Sequence, residues 1–493
     1  MAPLALLALI AAATAFFSRA DAQVLDAGTP MEVRLTAATG SRISHSGDPV
    51  QATVIAPVYS DGRLLVPQGA VASGTIAQVE RLGFGFKHLT SGIDFHFNRL
   101  QLPDGSSFPI RARVFKVETA KEHVDAHGFI DGISPLANLS SSVAPYLIPV
   151  LCVEPHLGIP FLGVKVMIAR SPDPEIYYPA GTEAVLKLSQ SAEIHDPASQ
   201  VASIPSLSNE DLTLVNHVLQ SVPWQRTTLG RNHPSDLVNI LFLGSADSIR
   251  RAFSAAGWSG AHRKSLVSAY RMYHCMVQRV GYSMAPMASL DLNGEPPDIE
   301  FQKSLNTFAK RHHTRLWRED GVDAWLSTAT EDVSYEVRDM HLTHATDPVI
   351  DNERNKVVND LAFTGCIDSA SFVHRDLGSS ELASVTTDGR IAVLRINDCQ
   401  HPHSVLSDEP GPQTGNRPRV VQVLVALRNE MIRMNPAFLA YETCRLFWVH
   451  EESLETPRQQ MIARPQNAGA LDASFPAGWT RPSVLDAQTD GLR

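Results

Sequence analysis

Histidine, arginine and carboxylate are concentrated in two neighbouring stretches, Arg311-His312-His313-Thr314-Arg315-Leu316-Trp317-Arg318 and Thr343-His344-Ala345-Thr346-Asp347-Pro348-Val349-Ile350-Asp351-Asn352-Glu353-Arg354. If the first is a strand, successive side chains alternate, so Arg311, His313, Arg315 and Trp317 share one face and His312, Thr314, Leu316 and Arg318 the other. Adjacent histidines then cannot both ligate one metal without a bulge. Three chemistries remain open. Arg311 and Arg315 offer planar forks for a phosphate or carboxylate, with His313 between them as a further donor or general acid. The same arginines could instead pair with Asp347, Asp351 or Glu353 and tie helix to sheet. A divalent metal could sit on one histidine of the pair, His344 and Asp347 or Asp351, leaving a coordination position for water. The candidate catalytic set is therefore His313, His344 and Asp351, with Arg311 and Arg315 for an anion and His344 and Asp347 for a metal. Asp347 is also expected to cap a helix.

The elements that must position these residues read as an α+β unit over 236–410. Leu237–Gly244 is a continuous apolar run of the kind that forms a buried strand, and Ser245 is placed to cap a helix reaching about Ala256. A helix is expected over Lys264–Val280, carrying an apolar face of Leu266, Ala269, Tyr270 and Tyr273. Strands follow at Ser289–Asn293, Glu300–Lys303, Lys310–Arg318 and Ala324–Val337. Asp347-Pro348 predicts an N-cap and first helical residue, opening a helix whose inner face carries Ile350, Val357, Val358 and Leu361. Ile391–Ile396 is expected to close the sheet.

Ahead of this unit, 23–190 reads as short strands broken by turns such as Asp61-Gly62 and Pro103-Asp104-Gly105, a small β-barrel or sandwich. Ala27-Gly28-Thr29-Pro30-Met31-Glu32-Val33-Arg34-Leu35-Thr36 is echoed by Ala180-Gly181-Thr182-Glu183-Ala184-Val185-Leu186-Lys187-Leu188-Ser189. Pairing first and last strands would remove exposed edges. A polar linker over 191–235, with one short helix at Asn209–Gln220, separates the two units. Amphipathic helices over 411–450 and a loose tail over 451–493 complete the predicted order of a multidomain β plus α+β chain.

Two resemblances accompany these readings. Gly28-Thr29, Val33-Arg34-Leu35, Gly47-Asp48-Pro49-Val50, Leu65-Val66-Pro67-Gln68-Gly69 and Gly74 resemble the barrel of TrbI-type conjugation and type IV secretion proteins over about 90 residues. The resemblance implies an envelope setting. Asp236-Leu237-Val238-Asn239, Phe242-Leu243-Gly244, Ala256-Gly257-Trp258, the Arg311–Trp317 motif, Thr343-His344, Asp347-Pro348, Asp351 and Glu353-Arg354 resemble the LssY C-terminal domain family over about 236–365. That family has no agreed activity. Its members often adjoin membrane segments resembling DedA proteins or phosphatidic-acid phosphatases, but this chain carries no phosphatase signature. Where the family often has two histidines after Thr343, this chain has His344-Ala345, which weakens a metal reading.

Composition narrows the partners. A formal charge of −10 over 493 residues, with 44% hydrophobic residues, supplies core material but no basic footprint for nucleic acid. The apolar opening, Met1–Phe17, is shorter than the roughly 20 residues of a membrane span. Followed by Ala20-Asp21-Ala22, it reads as a signal peptide over 1–22, with the mature chain starting near Gln23. The stretch Val143–Ala169 is long enough to cross a bilayer, yet Pro145, Pro149, Pro155, Pro160, Glu154, His156 and Lys165 favour an irregular packed segment. Of five scattered cysteines, with no CxxC pair, Cys366 and Cys399 are the disulfide candidates. No GxSxG, HExxH, Walker or GxGxxG motif occurs, and Gly83-Phe84-Gly85-Phe86 reads as a hairpin. The expected role is a binding or assembly accessory of the cell envelope, with an envelope complex, a membrane-associated partner or a small anionic ligand as partner. The alternative is a hydrolase acting on a phosphate or other anionic ester.

Overall fold

The computed structural model describes residues 23–400 except 61–62, 83–89, 119–121, 134–173, 195–203, 222–225, 230–232, 279–281, 289, 305–310, 339–340 and 376–384. The stretches read as a signal peptide over 1–22, a hairpin at Gly83–Phe86, a packed segment over Val143–Ala169, helices over 411–450 and a loose tail all lie outside the described residues.

Alternation drives the N-terminal unit. Ser107–Val117 buries almost every second side chain, including Phe108, Ile110, Ala112 and Val114. Six such strands close into a barrel: β1 (Pro30–Leu35), β2 (Pro49–Val54), β3 (Val71–Glu80), β4 (Gly92–Gln101), β5 (Ser107–Val117) and β6 (Glu183–Leu188). Each pairs antiparallel with the next, and β6 returns to β1 with Leu186 opposite Met31 and Glu183 opposite Arg34. The echo between the first and last strands therefore marks the closing seam. Met31, Val33, Val54, Ala72, Phe95, Phe97 and Leu186 fill the interior.

Closure demands close approach at Gly74, beside a bulge in β3. A Cβ there would overlap the His96 carbonyl oxygen on β4, a backbone atom that cannot rotate away. Gly74→Ala is expected to lower stability by about 1–3 kcal/mol, the usual range for overpacking. A denaturant midpoint unchanged from wild type would refute this.

The second unit is an eight-stranded mixed sheet. Its main members are β7 (Ile240–Leu243), β8 (Ile299–Ser304), β9 (Arg311–Arg318), β10 (Ala324–Arg338), β11 (His341–Thr346), β12 (Ile367–His374) and β13 (Arg390–Ile396), in the order β8-β9-β10-β7-β13-β12, with β11 alongside the far half of β10. Only β7 and β13 run parallel; the other pairs are antiparallel. Among the described residues four helices accompany it: α1 (Asn209–Ser221), α2 (Ala246–Ala255), α3 (Leu266–Gln278) and α4 (Ile350–Phe363). Alternation along β7 sends Ile240 and Phe242 toward α2 and α4, and Leu241 and Leu243 toward α1. Ser245 caps α2, accepting from the Ser248 N–H. Among the described residues no helix is long and apolar enough to cross a membrane.

Four local expectations need correction. Helix α1, read as a short helix of the linker, buries Val215, Val218 and Leu219 on the sheet. The Ile391–Ile396 strand lies inside the sheet because Ile367–His374, unread as a strand, covers its outer edge. Where a strand was expected over Ser289–Asn293, the described residues 290–293 show an isolated bridge, Leu292 with Glu295. In α3, Leu266 is 91% and Tyr270 57% exposed, whereas Ser268 is buried through its bonds to Ser265.

Candidate functional site

Strand β9 carries the motif through the middle of the sheet, and every residue from Arg311 to Trp317 is buried. The two faces separate as alternation requires, with Leu316 in the α2/α4 core and Trp317 in the α1 core. Register with β10 places Arg311 opposite Asp332, His312 opposite Glu331 and His313 opposite Thr330.

On the α1 face the guanidinium groups already have carboxylates. Arg311 Nε donates to Asp332 Oδ2 at 3.1 Å, and His313 Nε2 lies 3.1 Å from Asp332 Oδ1. Arg315 donates to the Ala288 carbonyl at 3.3 Å and, weakly, to Asp236 at 3.4 Å; Glu300 lies 3.7 Å away. Burial lowers the Arg315 pKa against the pull of Asp236 and Glu300. Arg311, His313 and Arg315 are 6%, 4% and 3% exposed, so the cradle expected to receive an outside anion is filled from within. The pairing expected with Asp347, Asp351 or Glu353 is replaced by one with Asp332 and Asp236, because the acidic helix start lies across the sheet.

The candidates for chemistry do not converge. His344 is opposite Tyr335, and Asp332 has Arg311 on one edge and Thr346 on the other. His313 and His344 are thus on opposite edges of β10 and roughly 16 Å apart along it, at about 3.3 Å per residue. Asp351 belongs to α4, which packs on the face opposite His313. Its carboxylate accepts from the Thr387 hydroxyl at 2.9 Å and the Asp388 N–H at 2.6 Å, and pairs with Arg354. Burial raises the Asp351 pKa, opposed by Arg354. Asp347 accepts from the Val349 N–H and from Asn352 Nδ2. It is not the N-cap: Val349 is, because the Thr386 N–H donates to the Pro348 carbonyl and Ile350 donates to Thr386, holding 348–349 extended. Cys366 and Cys399 are joined by a disulfide.

The other face of β9 leads to a charged seam that the sequence reading did not find. Helix α4 is buried on two sides. Val357, Val358 and Leu361 meet the sheet, while Glu353, Lys356 and Asp360, spaced three and four apart, turn toward the barrel. There Glu183 of β6 lies 2.6 Å from Lys303 of β8, 2.7 Å from Lys356 and 2.6 Å from Arg34 of β1. Asp360 closes the group at 3.0 Å from Lys303 and 2.7 Å from Lys356, and accepts from Trp258 Nε1. Burial alone would raise the Glu183 carboxyl, but Lys303, Lys356 and Arg34 hold it well below the usual range. Gln68 adds a bond to the Asn359 carbonyl, and Arg34 stacks over Phe363. Outward charges on barrel strands and on a helix are the ordinary mark of a solvated surface, so their composition carried no signal of burial.

Residues 218–391 match the family model described as LssY C-terminus, a span that contains β9, the end of α1 and the whole of α4. The resemblance over 236–365 is thereby borne out and extends further in both directions. ComB10 of the Com type IV secretion system of Helicobacter pylori is similar at 11% identity over 36% of this chain and 93% of that one. Its TM-score of 0.20 is too low to carry an argument. No curated protein matches the chain.

Proposed function

We propose that this chain, whose C-terminal unit matches the LssY C-terminus model, is an exported binding or assembly accessory of the bacterial cell envelope. The observation that carries the reading is the closed α1 face of the Arg311–Arg315 motif, where Arg311, His313 and Arg315 are buried beside internal partners. A catalyst needs such groups within reach of substrate. Here they stiffen the sheet on one side, while the charges on the other join the sheet to the barrel. The Cys366–Cys399 disulfide supports residence in an oxidising compartment. The barrel's likeness to TrbI-type modules supports assembly within the envelope.

The test expresses the full chain in a bacterial host and separates periplasm, membranes and cytoplasm. Cleavage near Gln23 and recovery with an envelope fraction or a crosslinked envelope partner are the expected result. An uncleaved, cytoplasmic protein would overturn it. In parallel, wild type and a His313→Ala/His344→Ala variant are compared on a panel of phosphate and carboxylate esters. Hydrolysis by wild type that the double variant loses would replace this reading with the hydrolase.

A further inference from the structure

Where the barrel meets the sheet, three potential ligands come from three elements. Glu118 directly follows β5, His312 lies on β9, and Glu331 is its cross-strand neighbour on β10. One ligand atom from each lies within 4.8 Å of the other two. We propose that Glu118, His312 and Glu331 form a site for a zinc-class divalent cation that staples the barrel to the mixed sheet.

The imidazole is the strongest reason. His312 is 4% exposed, and its Nδ1 is bound to Glu353 Oε2 at 2.7 Å, which fixes the ring. Its Nε2 is buried without a hydrogen-bond partner, as is Glu118 Oε2. An orphaned polar atom in a closed site costs about 1–3 kcal/mol. A cation on the Nε2 lone pair removes that cost. A carboxylate on the far nitrogen of a ligating histidine is the usual support in such sites, since it orients the ring and raises its basicity.

Charge gives a second, independent argument. Glu118, Glu331 and Glu353 bring three negative charges, and Lys116 returns one positive, 2.9 Å from Glu118 and 3.8 Å from Glu331. Those charges sum to two negatives, which a dication balances when it takes the place of a proton on the imidazole Nε2. One imidazole and two carboxylates suit zinc and its neighbours better than calcium or magnesium, which prefer all-oxygen shells. Ligands on one tetrahedral ion at about 2.0–2.2 Å lie roughly 3.4 Å apart, so separations of up to 4.8 Å must contract by as much as about 1.4 Å. Rotation of the two glutamates supplies that. Both are 12–13% exposed, and Lys116, at 38%, can withdraw toward water.

The test uses the full chain, stripped with chelator and titrated with Zn²⁺ alone by equilibrium dialysis and elemental analysis. One zinc per chain is expected, with an upward shift of Tm as zinc is added. Glu118→Gln and Glu331→Gln keep the fold and are each expected to weaken binding at least about ten-fold and to abolish the shift. Glu353→Gln, which acts through the ring, is expected to weaken it about 10–100-fold. His312→Gln is measured as well, but if it fails to fold the two partly exposed glutamates decide. Absence of stoichiometric zinc in wild type, or binding that both glutamine variants leave unchanged, overturns the proposal.

Discussion

Replacing Glu183 with glutamine is expected to cost about 3–5 kcal/mol, the range for removing one partner of a buried ion group. Glu183 has only 6% of its side chain exposed and stands between Arg34, Lys303 and Lys356, so loss of its charge leaves three cations paired with one carboxylate, Asp360. The damage should be specific to the seam. Denaturant unfolding followed separately in the barrel and the sheet is expected to change from one transition to two, with the sheet core of Phe242, Phe253 and Leu316 persisting. Coincident transitions at the wild-type midpoint would remove the seam from any account of how the units are held.

Acid should act on the same joint. Glu183 and Asp360 have pKa values lowered from 4.5 and 3.8, so the folded state binds their protons less readily than the unfolded chain. Their contribution is fully present above those unfolded values and is lost as pH falls below them, through the lower folded values. Glu32 works in the opposite sense, because burial raises its pKa against the pull of Lys356. The expected result is a seam that weakens below about pH 4.5, more steeply in wild type than in Glu183→Gln. Identical acid profiles for the two proteins would contradict it.

The second large effect concerns the disulfide. Cys366 follows α4 and Cys399 follows β13, closing a loop of 33 residues that contains β12. By chain entropy such a link stabilises by about 3.5–4 kcal/mol. A Cys366→Ala/Cys399→Ala protein is expected to lose most of that and to become indifferent to reductant, while wild type falls toward it when reduced. Thermal unfolding with and without dithiothreitol reads both. Equal Tm values for reduced and oxidised wild type would mean that the bond adds nothing beyond the buried packing of the two residues, which are 1% and 4% exposed.

Much of the fold was legible because its signals are local. Alternation in Arg311–Arg318 assigned each side chain to its face, and β9 keeps that assignment, with Leu316 and Trp317 in different cores. The repeated strand starts at Ala27 and Ala180 foretold that β1 and β6 would meet. Ile350, Val357, Val358 and Leu361 identified the inner face of α4. The errors came where local rules compete with a distant segment. Asp347-Pro348 is a good helix start in isolation, but pairing with Thr386 delays the helix to Ile350. The apolar side of α3 suggested burial, yet Leu266 and Tyr270 are exposed.

The candidate site divides along the same line. The sequence by itself determined that Arg311, His313 and Arg315 project together and that His312 projects away from them, because a strand's period fixes faces whatever surrounds it. Only the tertiary structure decided that the first face would close on Asp332 and Asp236, and that the second would meet Glu353, Glu331 and Glu118. Glu183, Lys303, Lys356 and Asp360 read in sequence as ordinary outer-face charges. A charge turned toward water and a charge turned toward a second unit have the same local pattern. The difference arises when two faces meet, and it then becomes a matter of desolvation and pairing between residues more than a hundred positions apart, such as Glu183 and Lys303.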